Sequence, residues 1–378
     1  MKIFFRNIHL YLGLIAGLVI MVTCLTGAIL VFEKELQQAF FHERYFTSPQ
    51  QERMALDDIQ GGFLKAVPGA KITGIKVYND ARRNVEISFS DPSKKDVRLT
   101  AFIDPYNGEL KEIYNYRESF FYKVMDLHRW MLAGDTGKLI VGICTLIFLF
   151  IILTGIVLWW PRNKQILKQR LKIKTGASFK RLNHDYHIVV GFYSALLLFI
   201  FSFTGLAWSF EWFNKGIYTV TGSSMERPEP PKSIAGNSSE VSVESVYRII
   251  SSEVPHAQYY SISIPKKDDD TYSVSLLSNT APHESASDQY FVDRHSGKIA
   301  GSQLFANRNT GQKVRATFKP VHIASIYGIP SKILGLLACL AGFLLPGTGY
   351  IMWYNRLRKK RKQQRKNKQL KQPINIAV

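Results

Sequence analysis

The fold class predicted for this chain is a membrane protein, mainly α, of four transmembrane helices in two tandem repeats, with an α+β domain outside the membrane in each repeat. Three observations predict it. Residues 8–32, 139–160, 187–210 and 333–354 contain no Asp, Glu, Lys or Arg, and each run is long enough to cross a hydrocarbon core of about 30 Å. The chain also repeats itself. His9, Gly13, Thr26, Gly27 and Glu33 return 178 positions later as His187, Gly191, Thr204, Gly205 and Glu211. His128, Gly134, Lys138, Thr154, Gly155, Trp159 and Arg162 return 194 positions later as His322, Gly328, Lys332, Thr348, Gly349, Trp353 and Arg356. A fixed offset is the mark of structural duplication. Finally, the segments between the first and second spans, and between the third and fourth, carry helix-like and strand-like runs.

Taken in order, residues 1–33 form the first span, too long and too poor in small residues at its end for a cleaved signal peptide, so it reads as a retained anchor. Residues 34–127 form the first outward domain. Leu56–Ala66 predicts a helix and Lys71–Tyr78, 84–89 and 97–103 predict strands, the last ending in the turn Asp104-Pro-Tyr-Asn-Gly108. The second span is 128–162, followed by a basic loop at 163–183 and a third span at 184–212. The second outward domain, 213–321, opens with a Ser-, Pro- and Gly-rich linker at 221–239. It then repeats the first domain: a helix at Val243–Glu253, strands at 259–264, 271–277 and 289–292, and the turn Asp293 to Gly297. The fourth span is 322–355, and 356–378 is a basic tail.

Charge orients the spans. The stretch before span 1, the 161–186 loop and the tail together carry twenty Lys and Arg against the single acid Asp185, while the remaining chain is nearly balanced. Under the positive-inside rule both termini and this loop are cytoplasmic. The net charge of +20 is therefore a topology signal and not a nucleic-acid footprint, and the tail suits anionic lipid headgroups. Only three cysteines occur, Cys24, Cys144 and Cys339, all within spans. They offer no disulfide framework, no zinc spacing and no covalent haem attachment.

Depth decides which histidines can meet. His9 and His187 open spans 1 and 3 on the basic side. His128 and His322 precede the apolar cores of spans 2 and 4 on the opposite side; if helix continues through the intervening residues, they stand about 15 Å beyond the core. The matched pairs are His9 with His187 and His128 with His322. Structural zinc wants four ligands and catalytic zinc three, whereas each pair here has no carboxylate or thiol in the adjoining spans. Two imidazoles complete a six-coordinate haem, so two non-covalent haem b groups are the cofactor reading, with these four histidines as axial ligands. Gly13, Gly17, Gly191, Gly134 and Gly328 are read as room for a flat macrocycle, and Lys138, Lys332 and Arg129 as propionate partners or snorkelling cations. His184, which answers to Arg6 in the other repeat, is a neighbour or an alternative ligand to His187. His256, His283 and His295 read as surface residues.

The motifs His9-Leu-Tyr-Leu-Gly13 with Thr26-Gly27, Leu127-His128-Arg129-Trp130, Leu153-Thr154-Gly155, Leu158-Trp159-Trp160-Pro161 and His187-Ile-Val-Val-Gly191 with Thr204-Gly205 resemble the PepSY-associated transmembrane family of bacterial inner-membrane proteins. So do the outward domains ending at Asp104 to Gly108 and Asp293 to Gly297, which the resemblance makes PepSY-like and periplasmic. Val321-His322-Ile-Ala-Ser departs from the pattern by lacking the Arg-Trp that follows His128. Some members look like di-haem reductases of ferric siderophores. By resemblance the chain is then an oxidoreductase that takes electrons on the cytoplasmic side and reduces a ferric chelate in the periplasm. No nucleotide or flavin motif is present, so the donor is another molecule: a quinol, a flavoprotein or a soluble reductase. The rival readings are a siderophore or peptide transport component, disfavoured by span cores without ionisable residues, and a non-redox regulatory membrane protein.

Overall fold

The structure is a computed structural model that describes residues 2–91, 97–233 and 240–370. In chain order the helices are α1 (Lys2–Leu30), α2 (Glu33–Phe40), α3 (His42–Tyr45), α4 (Leu56–Ala66), α5 (Phe120–Trp130), α6 (Gly134–Trp159), α7 (Lys164–Arg170), α8 (Phe179–Ser209), α9 (Glu211–Val220), α10 (Val243–Glu253), α11 (Thr310–His322) and α12 (Ile329–Leu370). The strands are β1 (Lys71–Tyr78), β2 (Val85–Ser90), β3 (Arg98–Ile103), β4 (Leu110–Tyr114), β5 (Ala257–Ser263), β6 (Tyr272–Ser278), β7 (Asp288–Val292) and β8 (Ile299–Gln303). Two compact units result. The first holds α1, the ends of α5 and α11, and α6, α7, α8 and α12; the second holds the segments 32–123 and 212–320.

The first unit is a four-helix bundle, and its four long apolar helices make the chain a multi-pass membrane protein. Around the ring, α1 packs on α6 and α12, and α8 packs on the same two. Helices α1 and α8, the equivalent members of the two repeats, therefore stand diagonally opposite. Small residues bring the backbones close, as membrane bundles require: Gly342 of α12 has no room for a Cβ beside Cys24 of α1 and Leu198 of α8. Ile152, Ala195, Leu198 and Ala338 are buried at the centre, packed by Phe148, Phe199, Phe201 and Leu345.

Two spans differ from the expectation. The helix carrying His128 does not continue into α6. It stops at Trp130, Met131 and Leu132 take positive φ (49° and 57°), and Gly134 follows at 54°. The equivalent break after His322 places Ala324 at 54° and Gly328 at 67°. Left-handed backbone at non-glycine residues is uncommon and turns the chain sharply. As a result His128 and His322 are bonded into the bundle rather than standing 15 Å beyond it. Helix α12, in turn, runs past the fourth span and through the basic tail to Leu370; residues 371–378 lie outside the described residues.

The second unit differs from the two-domain expectation in one respect. Its two halves are joined edge to edge in a single antiparallel sheet of order β4-β3-β2-β1-β5-β6-β7-β8. The seam is β1 against β5, with Ile75 opposite Ile262 and Tyr78 opposite Tyr259. Alternation explains the burial: Ile75, Val77, Val85, Ile87, Tyr260, Ile262, Val274 and Leu276 face one side and are almost fully buried, packed with Ile59 and Phe63 of α4 and Val246 and Ile250 of α10. Both helices occupy the spans predicted for them. Strands β4 and β8, which sequence reading missed, follow the two Asp-to-Gly turns, closed by Gly108 N–H to Asp104 C=O and Gly297 N–H to Asp293 C=O. Residues 234–239 of the expected linker lie outside the described residues.

Candidate functional site

His9 of α1 and His187 of α8 face each other across the bundle diagonal, with ring centres 6.2 Å apart and planes at 90°. His128 and His322, at the ends of α5 and α11, form a second pair with centres 6.3 Å apart and planes at 62°. His184 stays outside the first pair; half-exposed, it lies 3.5 Å from Asp185.

Every one of the four rings is held in the same way. His9 Nδ1 lies 3.0 Å from Ile151 C=O and 3.1 Å from Thr154 Oγ1. His128 Nδ1 lies 2.9 Å from Thr23 C=O and 3.0 Å from Thr26 Oγ1. His322 Nδ1 lies 2.9 Å from Phe201 C=O and 3.1 Å from Thr204 Oγ1. His187 Nδ1 is 2.8 Å from Thr348 Oγ1 and also bonds Leu345 C=O. In each case the carbonyl belongs to the residue three before the threonine. A carbonyl oxygen only accepts, so Nδ1 must carry the proton. Each threonine hydroxyl donates along its own helix, as Thr154 does to Phe150 C=O at 2.8 Å and Thr204 to Ile200 C=O at 2.7 Å. Its oxygen is thereby presented to Nδ1 as an acceptor. The lone pair of every ring is left on Nε2, the arrangement by which outer partners fix the tautomer of a metal-binding histidine.

The glycine that follows each threonine makes the notch for the ring. A Cβ at Gly205 would lie 3.1 Å from His322 Cε1, at Gly155 3.2 Å from His9 Cε1, at Gly27 3.4 Å from His128 Cε1 and at Gly349 3.6 Å from His187 Cε1. Sequence reading found the Thr-Gly repeats but not their use. The signal was available, since these four histidines and these four Thr-Gly pairs recur at the same two offsets, but one sequence does not reveal which ring meets which notch.

The glycines expected to admit a macrocycle divide differently. Gly13 and Gly191 border a cavity of about 470 Å³ around His9 and His187. Gly17 borders the same cavity and also accommodates Tyr350, whose hydroxyl donates to Leu14 C=O at 3.0 Å. Gly134 and Gly328 serve the positive-φ turns. Arg6, Arg170, His184 and Arg356 also line the cavity, and Trp159 stacks on Phe192 there with ring centres 3.6 Å apart. At the second pair, the Trp208 ring centre is 5.3 Å from that of His322. Of the cations proposed for propionates, Arg129 lies over the Trp130 ring at 4.4 Å and Lys332 is buried.

The donor set fits haem better than a bare metal ion. With a metal–imidazole bond of about 2 Å on each side and each ring centre about 1 Å behind its nitrogen, two imidazoles sharing one metal have centres about 6 Å apart. Both pairs have that spacing. Among the described residues no group of three or more His, Cys, Asp or Glu is placed to hold a metal ion, and a pair of facing imidazoles fits a group that brings its own remaining ligands, as a macrocycle does.

The family model for the PepSY-associated TM region matches residues 6–356, and the chain belongs to that family. No curated protein matches the chain.

Proposed function

From that membership and the four tethered imidazoles, we propose that the chain is a di-haem b oxidoreductase of the bacterial inner membrane that reduces a periplasmic ferric chelate of the siderophore type. His9 and His187 hold the haem nearer the cytoplasm, and His128 and His322 hold the one nearer the periplasm. Bound haem supplies reversible one-electron iron chemistry. The chain's own part is to aim four Nε2 lone pairs, keep each Nδ1 protonated against a carbonyl and a threonine, and enclose the rings in apolar packing that excludes water. One electron from a quinol or a cytoplasmic reductase converts chelated Fe(III) to Fe(II), which hard oxygen donors retain less well. The chelate then lets the metal go for uptake.

The observation that carries this reading is the fourfold recurrence of one ring, one threonine and one carbonyl three residues earlier, in two facing pairs at metal-sharing distance. It is tested by the reduced-minus-oxidised spectrum of the purified protein, with haem counted per chain. Two haems per chain are expected; a colourless protein overturns the reading.

A further inference from the structure

The sheet of the second unit has a face opposite α4 and α10, and its two halves are not equivalent there. A shift of 187 residues carries α4 onto α10, and the same shift superposes the buried residues of β1 and β2 on those of β5 and β6: Ile75 on Ile262, Ile87 on Val274, Phe89 on Leu276. On the other face that shift turns Lys76 into Ser263, Glu86 into Ser273 and Tyr78 into Pro265. The core of the duplication is retained, while Lys76, Glu86 and Tyr78 of the first half have no charged or aromatic counterpart in the second.

Its geometry is specific. Lys76 Nζ lies 4.7 Å from the centre of the Tyr78 ring and 4.3 Å from that of Tyr259, which meet across the β1–β5 seam. Tyr78 donates its hydroxyl to Glu86 at 2.6 Å, and Arg83 lies over the Tyr78 ring at 3.9 Å and pairs with Glu86 at 3.4 Å. Partial burial holds the Lys76 pKa below the usual lysine range; Glu86 opposes this, and the charges of Arg83, Lys34 and Lys319 reinforce it. Lys34 and Lys319 are exposed. Three lysines and one arginine therefore converge on a place where Glu86 and Glu33 are the facing carboxylates, and Glu33 has its own pKa raised by burial. Cations crowded beside low-dielectric walls attract an anion, and the partly exposed Tyr78 and Tyr259 rings, whose faces Lys76 and Arg83 occupy, can meet a flat aromatic ring edge to face.

We propose that Lys76, set between Tyr78 and Tyr259 and within electrostatic reach of Lys34 and Lys319, is the recognition site for an anionic ferric chelate with aromatic oxygen donors, of the catecholate class. Such a chelate is anionic because three dianionic catecholates outweigh Fe(III), and its rings suit edge-to-face contact with the partly exposed tyrosines. A charge-neutral hydroxamate chelate satisfies neither requirement. The choice of substrate class rests on the reductase reading; the anion site itself does not.

The test is equilibrium binding of the gallium(III) tris-catecholate complex, which has the charge of the ferric one and cannot be reduced, to the full-length protein in detergent. Binding at least about tenfold tighter than that of a neutral gallium(III) trihydroxamate is expected, weakening with added salt. Lys76→Gln is expected to lose about tenfold and Lys76→Arg to restore it. Lys319→Gln, at an exposed position that leaves the fold intact, is expected to lose several-fold. Equal binding of the two chelates, unchanged binding in both glutamine variants, or displacement by inorganic phosphate at matched ionic strength overturns the proposal. Haem content is read separately. A colourless protein that binds the anion keeps this site and removes the reductase reading; a two-haem protein indifferent to the anion does the reverse.

Discussion

Thr154 Oγ1 stands 3.1 Å from His9 Nδ1, joining α6 to α1 within one repeat. The second repeat makes the same link from Thr348 to His187. Each half of the molecule thus orients its own imidazole, and the halves then present those rings to each other. Partner groups of this kind typically change metal affinity by about 10- to 100-fold when removed. Thr154→Val keeps the shape and the Ile151 carbonyl but deletes the hydroxyl. It is expected to release haem from the His9–His187 pair about tenfold faster to an apo-globin acceptor, with the other pair unchanged and Thr154→Ser near wild type. Equal release from both pairs, or none, counts against the tethering role.

The notch glycines give a graded series. Contacts of 3.1 Å at Gly205 and 3.2 Å at Gly155 require the imidazole to give way, 3.4 Å at Gly27 is borderline, and 3.6 Å at Gly349 is ordinary contact. Close-packed interiors resist even one added methyl. Gly205→Ala and Gly155→Ala should therefore each disturb one pair, seen as altered low-spin signals in electron paramagnetic resonance, while Gly349→Ala should disturb neither. Gly61→Ala, at a position with open space, is the control. The prediction fails if the order of severity does not follow the distances.

Much of this architecture was legible in the chain before any coordinates. The spans were readable because hydrocarbon tolerates no unpaired charge, and α4, α10 and β1 were readable because periodicity and turn residues agree there. The pairing of the histidines followed from matched depth. Three things were hidden. The breaks after Trp130 and His322 place Met131, Leu132 and Ala324 in left-handed backbone, which no residue type there announces. The seam between β1 and β5 is a long-range edge pairing with no local signal. And the use of the Thr-Gly pairs has no local signal, because only the folded bundle shows a ring seated in each notch.

The seam makes the second unit one cooperative body. Ile75 and Ile262 are paired across it and at most 1% exposed. Ile262→Ala removes buried methyl groups with little room for collapse, at a cost of about 2–5 kcal/mol. Because β5 joins both halves, thermal unfolding should remain a single transition at lower temperature, read by hydrogen exchange in α4 as well as α10. Loss of protection confined to the second half would show that the halves fold independently.

Acid should weaken the contacts of Glu240 in the second half. Burial tends to raise the Glu240 pKa, but Arg294, 3.0 Å away, and the Tyr272 hydroxyl, 2.8 Å away, outweigh it, so the carboxyl sits below its ordinary range. A carboxyl with a lowered folded pKa stabilises the fold above its unfolded pKa of about 4.3, and that contribution disappears as pH falls through the folded value. Glu240→Gln should therefore lower the melting temperature at neutral pH and converge with wild type in acid. The loss is small, below about 1 kcal/mol, since the Glu240 side chain is 40% exposed. A constant difference across the range would mean that charge is not the cause.

Helix α9 starts two residues after α8 ends, and α2 starts three residues after α1 ends, so chain length alone keeps both first turns near the membrane surface. They also carry exposed large apolar side chains: Phe40 is 73% exposed, Trp212 59% and Val220 89%. Short helices with one apolar face lie in the headgroup boundary, buried to about 5–10 Å. In nanodiscs, the fluorescence lost between wild type and Trp212→Phe should be quenched more by lipids brominated near the headgroup than by lipids brominated near the chain ends. Iodide in the aqueous phase should quench it only weakly. Strong iodide quenching with no effect of brominated lipid would place α9 in water and leave its exposed apolar face to some other contact.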